Sequence, residues 1–82
     1  MTDRQNPAPP NADTLPVRAA DLRAQIVALG DGFFEYGLID LAQDAYIDAG
    51  AKDRILAVAD HRMKELKVDV AFRLYHLAKQ LD

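Results

Sequence analysis

Beyond Thr14, apolar side chains return every three or four positions along the chain, and they do so in four blocks. Leu22, Ile26, Leu29, Phe33 and Tyr36 form the first stripe, and Ile39, Ala42, Ala45, Tyr46 and Ala49 the second. Ile55, Leu56, Ala59 and Met63 form the third, and Ala71, Leu74, Tyr75 and Ala78 the fourth. This is the period of helices that each turn one face to a common core. It predicts a first helix from Leu15–Val17 to about Tyr36, with Thr14 as N-cap and Pro16 in the first turn. A second helix carries Ile39 to Ala49, a third starts at Lys52 or Asp53 and ends near Leu66, and a fourth runs from Val68 or Asp69 to about Leu81. Gly37 and Gly50 stop the first two, because glycine takes the left-handed C-terminal conformation at little cost. Connections this short make successive helices antiparallel. No stretch alternates like a strand. Residues 1–14 hold Pro7, Pro9 and Pro10 and almost no large apolar side chain, so they are expected to form a disordered tail ahead of a helical domain over 15–82.

The blocks repeat in detail. Ile26, Ala28, Asp31, Asp40, Ala42, Tyr46 and Ala49 are answered 29 positions later by Ile55, Ala57, Asp60, Asp69, Ala71, Tyr75 and Ala78. Leu29/Val58, Phe34/Met63, Ile39/Val68 and Leu41/Val70 keep their apolar character under the same shift. A fixed period of this size marks stacked helical hairpins, which act by presenting a surface rather than by enclosing a reaction.

Composition narrows the function further. The 82 residues contain no cysteine, which removes disulfides, thiolate metal sites and thiol nucleophiles. The polar, proline-rich start has no apolar h-region, and no apolar run approaches the ~20 residues that span a bilayer, so the expectation is a soluble, cytoplasmic chain with no membrane partner. A net charge of −3 argues against nucleic acid, whose binding draws most of its affinity from basic faces. The charge is uneven: residues 19–51 carry six acids against Arg23, net −5, and residues 52–82 carry seven bases against five acids, net +2. A module so polarised could stack head to tail on itself or attract an asymmetric partner.

Within each copy, the order of residue types resembles the tetratricopeptide repeat. The first copy has Leu29-Gly30, Phe33-Phe34, Gly37, Ala42, Tyr46 and Ala49 at the characteristic small, aromatic and turn positions. The second has Val58-Ala59, Met63, Leu66, Ala71, Tyr75 and Ala78. Arg62 stands in place of the aromatic Phe33 and Leu66 in place of the turn glycine. The period also falls about five short of the ~34 residues of that family, which a clipped second helix and loop around Ala49–Asp53 would explain. The resemblance implies an all-α fold of two antiparallel helical hairpins, four helices in all, stacked as a short TPR-like array.

It also implies a non-catalytic protein–protein interaction module, a small adaptor whose ligand lies in a concave groove lined by the first helix of each hairpin. Carried over by position, that groove is formed by Ala24, Val27, Asp31, Phe34 and Glu35 and by Asp53, Leu56, Asp60, Met63 and Lys64. Asp31 and Asp60 stand where carboxylate-clamp members carry lysine and asparagine, which disfavours that ligand type. An apolar floor with an acidic edge suits a peptide or helix bearing apolar and basic residues. Two hairpins are fewer than the three that usually make a stable array, so either the first turns of helix 1 (Val17, Ala20, Leu22) cap the end, or the end of helix 4 or the face of helix 1 packs against another chain, in a homodimer or on a larger protein.

The main alternative is a self-assembling structural subunit, a homo-oligomer. A helix-turn-helix regulator would need Arg62, Lys64, Lys67 and Arg73 on one face, and Asp60, Glu65 and Asp69 interleave with them. Chemistry finds little support. His61 and Glu65 share metal-ligand spacing, but two groups do not make a site, and a solvated helix surface is the simpler reading. Gly30-Asp31-Gly32 follows no strand, which excludes a phosphate-binding loop. His76 reads as an edge residue. No catalytic constellation, cofactor site or metal site is expected.

Overall fold

A computed structural model describes residues 8–81 of the chain, with side chains from residue 19 onward, and all its elements are helical. They are α1 (Ala8–Glu35), α2 (Ile39–Ala49), α3 (Lys52–Lys64) and α4 (Val68–Gln80). α1 packs on α2, α3 packs on α4, and α2 packs on α3, which makes two hairpins stacked side by side. Helix ends and connections fall where the glycines and the periodicity place them, with one exception. α1 begins at Ala8, ahead of the expected start at Leu15–Val17. Pro9 and Pro10 occupy its first turn, where a missing N–H costs nothing, and Pro16 lies inside the helix at the loss of one backbone bond. Residues 8–14 of the expected tail are therefore helical, and residues 1–7 lie outside the described residues.

The repeat extends to backbone hydrogen bonds. Gly37 N–H donates to Phe34 C=O (3.0 Å) and Leu38 N–H to Phe33 C=O (2.9 Å), while Leu66 N–H donates to Met63 C=O (2.9 Å) and Lys67 N–H to Arg62 C=O (2.9 Å). Each pair closes a Schellman turn that satisfies carbonyls left open at a helix end. A third such turn, Gly50 to Ile47 and Ala51 to Tyr46 (both 3.0 Å), joins the hairpins. Only Gly50 and Ala51 separate α2 from α3, and α2 has 11 residues. These two short elements account for the abbreviated period. Gly37 (φ 79°) and Gly50 (φ 62°) take the left-handed conformation, and so does Leu66 (φ 65°), where an L side chain is disfavoured.

The core is thin and built for close approach. Among the described residues, the buried apolar side chains are Ala42, Tyr46, Ala49, Ile55, Val58, Ala59, Ala71, Leu74 and Ala78, five of them alanine. Small residues at the crossings let the helix axes close up, and Tyr46 and Leu74 fill the space between. None of the nine lies on α1, because α1 is an end helix with a neighbour on one side only. At about 1.5 Å per residue, its 28 residues overshoot the much shorter α2. Residues 19–25, Ala20 and Leu22 among them, are all exposed. They do not cap the end of the array as expected. The side chain of Val17 lies outside the described residues.

Candidate interaction surface

Asp31 and Asp60 recur because each clasps its own hairpin. The Tyr46 hydroxyl donates to Asp31 Oδ1 and the Tyr75 hydroxyl to Asp60 Oδ1, both at 2.5 Å and both across a separation of 15 residues. The two tyrosines and the two aspartates that the repeat pairs in sequence are thus bonded to one another in space. The clasps differ in what else they hold. Arg54 of α3 grips Asp31 with both prongs, Nε to Oδ1 and Nη2 to Oδ2, each at 3.1 Å. Asp60 accepts only from Tyr75 among the described side chains.

The bonds of the clasps shift the titration of Asp31 and of both tyrosines. The Arg54 guanidinium first and the Tyr46 hydroxyl second hold the Asp31 carboxyl below the ordinary aspartate range. Burial, and then the bond to Asp31, push the Tyr46 hydroxyl up to about 12. Tyr75 is also raised, chiefly by its bond to Asp60.

The residues expected to line the groove divide into two groups. Val27, Phe34 and Leu56 are half-buried and pack against the core, so they form a floor that belongs partly to the fold itself. Glu35, Asp53, Asp60, Met63 and Lys64 are exposed, and Asp31 is half-buried between Tyr46 and Arg54. Phe34 reaches α3, where its ring and that of His61 meet edge to face with centroids 5.4 Å apart. His61 is therefore not a bare surface residue: it lies half-buried against Phe34, with Nε2 3.6 Å from Glu65. His76 is exposed and approaches Gln80 at 3.3 Å. Among the described residues no cluster of three potential metal ligands occurs. No helix there is long and apolar enough to cross a membrane.

Arg62 is the residue whose role the sequence concealed. It is 5% exposed, and it donates Nε and Nη2 to Gln43 (3.2 and 3.1 Å), Nη1 to Glu65 (3.2 Å) and Nη2 to Asp40 (2.5 Å). Burial opposes its charge, and the bonds to Asp40 and Glu65 outweigh that, so its pKa still lies above the ordinary arginine value. In return Arg62 pulls the Glu65 carboxyl below its ordinary range. An open depression of about 400 Å³ lies beside it, between the α1–α2 and α3–α4 turns, with Leu38, Ile39 and Leu41 opposite Glu65 and Lys67. The guanidinium there is already matched by Asp40, Gln43 and Glu65. The four cations a helix-turn-helix regulator would use therefore do not share an exposed face, because Arg62 is inside. The available signal was its place in the repeat, where the first copy carries the aromatic Phe33.

No protein-family model matches the sequence, and no curated protein or solved structure is significantly similar to it. The likeness to the tetratricopeptide repeat therefore rests on the residues of this chain alone.

Proposed function

We propose that the protein is a non-catalytic interaction module, a small adaptor that takes a peptide or helix with apolar and basic residues on the shared face of α1 and α3. The observation that carries this reading is the contrast between the two clasps. Asp31 is held by a tyrosine on one side and accepts a two-pronged guanidinium on the other. Asp60 is oriented by the equivalent tyrosine and, among the described residues, receives no guanidinium. A carboxylate held in this way suits an incoming Arg or Lys, and planar bidentate pairing favours Arg. Exposed Met63 and half-buried Leu56 beside it supply an apolar foothold, and Asp53 adds negative charge along the same helix.

Selection of a displayed random-peptide library on the immobilised protein tests this. Recovered peptides should pair Arg or Lys with apolar residues, and Asp60→Lys should lower their affinity about tenfold or more, the loss of one charged contact. The same change at Asp44, an exposed carboxylate on α2, should leave affinity within about twofold. Recovery of acidic peptides, or equal losses from both substitutions, would contradict the proposal.

A further inference from the structure

The two ends of the stack are the two halves of its internal seam. Inside the molecule, the second hairpin meets the first at Arg54 with Asp31, His61 with Phe34, and Arg62 with Gln43 and the exposed Asp40. In each, α3 supplies one side and the first hairpin the other. Shifting the first-hairpin residues by one repeat gives Asp60, Met63, Phe72 and Asp69, which lie on the rear end, uncovered by any helix among the described residues. Shifting the α3 residues back gives Gln25, Gly32 and Phe33 on α1, the first helix among the described residues.

Exposure follows the same logic. Val58 of α3 is fully buried, whereas its counterpart Leu29 on α1 is 57% exposed. Gln43 of α2 is half-buried under Arg62, whereas its counterpart Phe72 on α4 is 61% exposed. Leu22 and Tyr36 add to the uncovered apolar stripe of α1, and Val68 lies one turn before Phe72 on α4. Each end thus carries apolar side chains at positions that the interior seam covers.

We infer that a second copy of this chain covers the rear end, its α1 seated against α3 and α4 as α3 is seated against α1 and α2 within one chain. Two further features choose this occupant over other arrangements of copies. The residues exchanged at the Arg62–Gln43 contact change together: the polar pair inside becomes an aromatic pair, Phe33 with Phe72, across copies. A one-sided replacement would bury an unpaired polar group, and the paired one does not. The charges also suit head-to-tail order, with −5 over residues 19–51 at the front meeting +2 over residues 52–82 at the rear. A front-to-front dimer would set the acidic halves against each other. The contact is heterologous, so it propagates into short chains or closes into a ring. It goes beyond the peptide-binding reading, and because Asp60 and Met63 belong to both surfaces, a seated copy and a bound peptide compete for them.

Sedimentation velocity over a wide range of protein concentration at low ionic strength tests the stacking. Wild type should show a series of assemblies growing with concentration. Leu29→Glu at the front and Phe72→Glu at the rear should each abolish assembly, weakening it at least about tenfold. An equimolar mixture of the two variants should form a dimer and nothing larger, since one intact front meets one intact rear. Circular dichroism checks that both fold, and the milder Leu29→Ala and Phe72→Ala replace either that does not. A wild type that stays monomeric would overturn the inference. So would assembly by Phe72→Glu alone, which would mark a front-to-front dimer, assembly by Leu29→Glu alone, which would mark a rear-to-rear one, or a mixture that remains monomeric.

Discussion

Glycines 30 and 32 stand two residues apart on one helix and should respond oppositely to the same substitution. A Cβ at Gly30 would lie 2.7 Å from Tyr46 Cε1 and 3.2 Å from Ala45 Cβ, and the Tyr46 ring is tethered through its hydroxyl to Asp31. Gly30→Ala should therefore cost about 1–3 kcal/mol through overpacking. A Cβ at Gly32 meets nothing within 4 Å, so Gly32→Ala should stabilise by up to ~1 kcal/mol through helix propensity. Thermal denaturation of both variants checks the pair. The sequence pointed to close packing at Gly30, since Ala59 holds the matching place. It could not show which side chain the glycine makes room for. Tyr46 offers a second test at this scale. Its pKa is raised, so its bond to Asp31 contributes stability that is fully present below the ordinary tyrosine value of 10.0 and is lost as pH rises through about 12. The Asp31 pKa is lowered, so its share is present above the ordinary value of 3.8 and is lost as pH falls through the folded value. Tyr46→Phe should cost about 1–2 kcal/mol near neutral pH, less than a fully buried charged bond because the Asp31 carboxylate is partly in water. It should also flatten both the acid and the alkaline limbs of a stability–pH profile measured in urea. Limbs unchanged from wild type would show that the clasp does not hold the hairpin.

Among the elements, the α3–α4 turn is the weak copy of the α1–α2 turn. Leu66 takes the left-handed conformation that Gly37 takes, and it is 83% exposed, so its side chain offers little burial in compensation. Leu66→Gly should raise stability by about 0.5–1 kcal/mol, a shift of several degrees in Tm for a domain of this size. The turn's position was legible because period and spacing demanded a helix end there. The conformation forced on Leu66 was not, because leucine carries no turn signal of its own. Arg62 shows the converse limit. An arginine amid acids reads as surface, and only the stacking of α3 on α2 turns it inward to Gln43. Arg62→Ala should cost about 2–4 kcal/mol, since it removes the packed aliphatic stem and leaves Gln43 unsatisfied. Arg62→Met also leaves Gln43 unmatched but keeps the stem, and Asp40, 90% exposed, returns its charge to water, so it should cost about 1–2 kcal/mol less than Arg62→Ala. Equal losses from the two would mean that the ion pairs, not the packing, hold the seam.

Across the whole molecule, two hairpins bury a core in which, among the described residues, only Ile55 and Val58 are large and fully enclosed. Folded surface that small leaves little margin, and the apolar residues that the seam would cover are spread over both ends and one face. The four-helix order and the repeat could be read directly from sequence, since they follow from local periodicity. The front of the molecule could not. α1 reaches back to Ala8, and Ala20 and Leu22, expected to cap the array, are exposed instead. The candidate surface was legible as a set of positions, but the split between core floor and exposed edge required the packing of Phe34 on His61 and of Arg54 on Asp31. The most direct test of the account is an NMR titration of the ¹⁵N-labelled protein with a peptide recovered by selection. Amide shifts concentrated at Asp53, Leu56, Asp60, Met63 and Lys64, with lesser ones at Asp31 and Glu35, are the predicted result. Shifts centred instead on Leu38, Leu41 and Lys67 beside the turns, with the face of α3 unmoved, would contradict it.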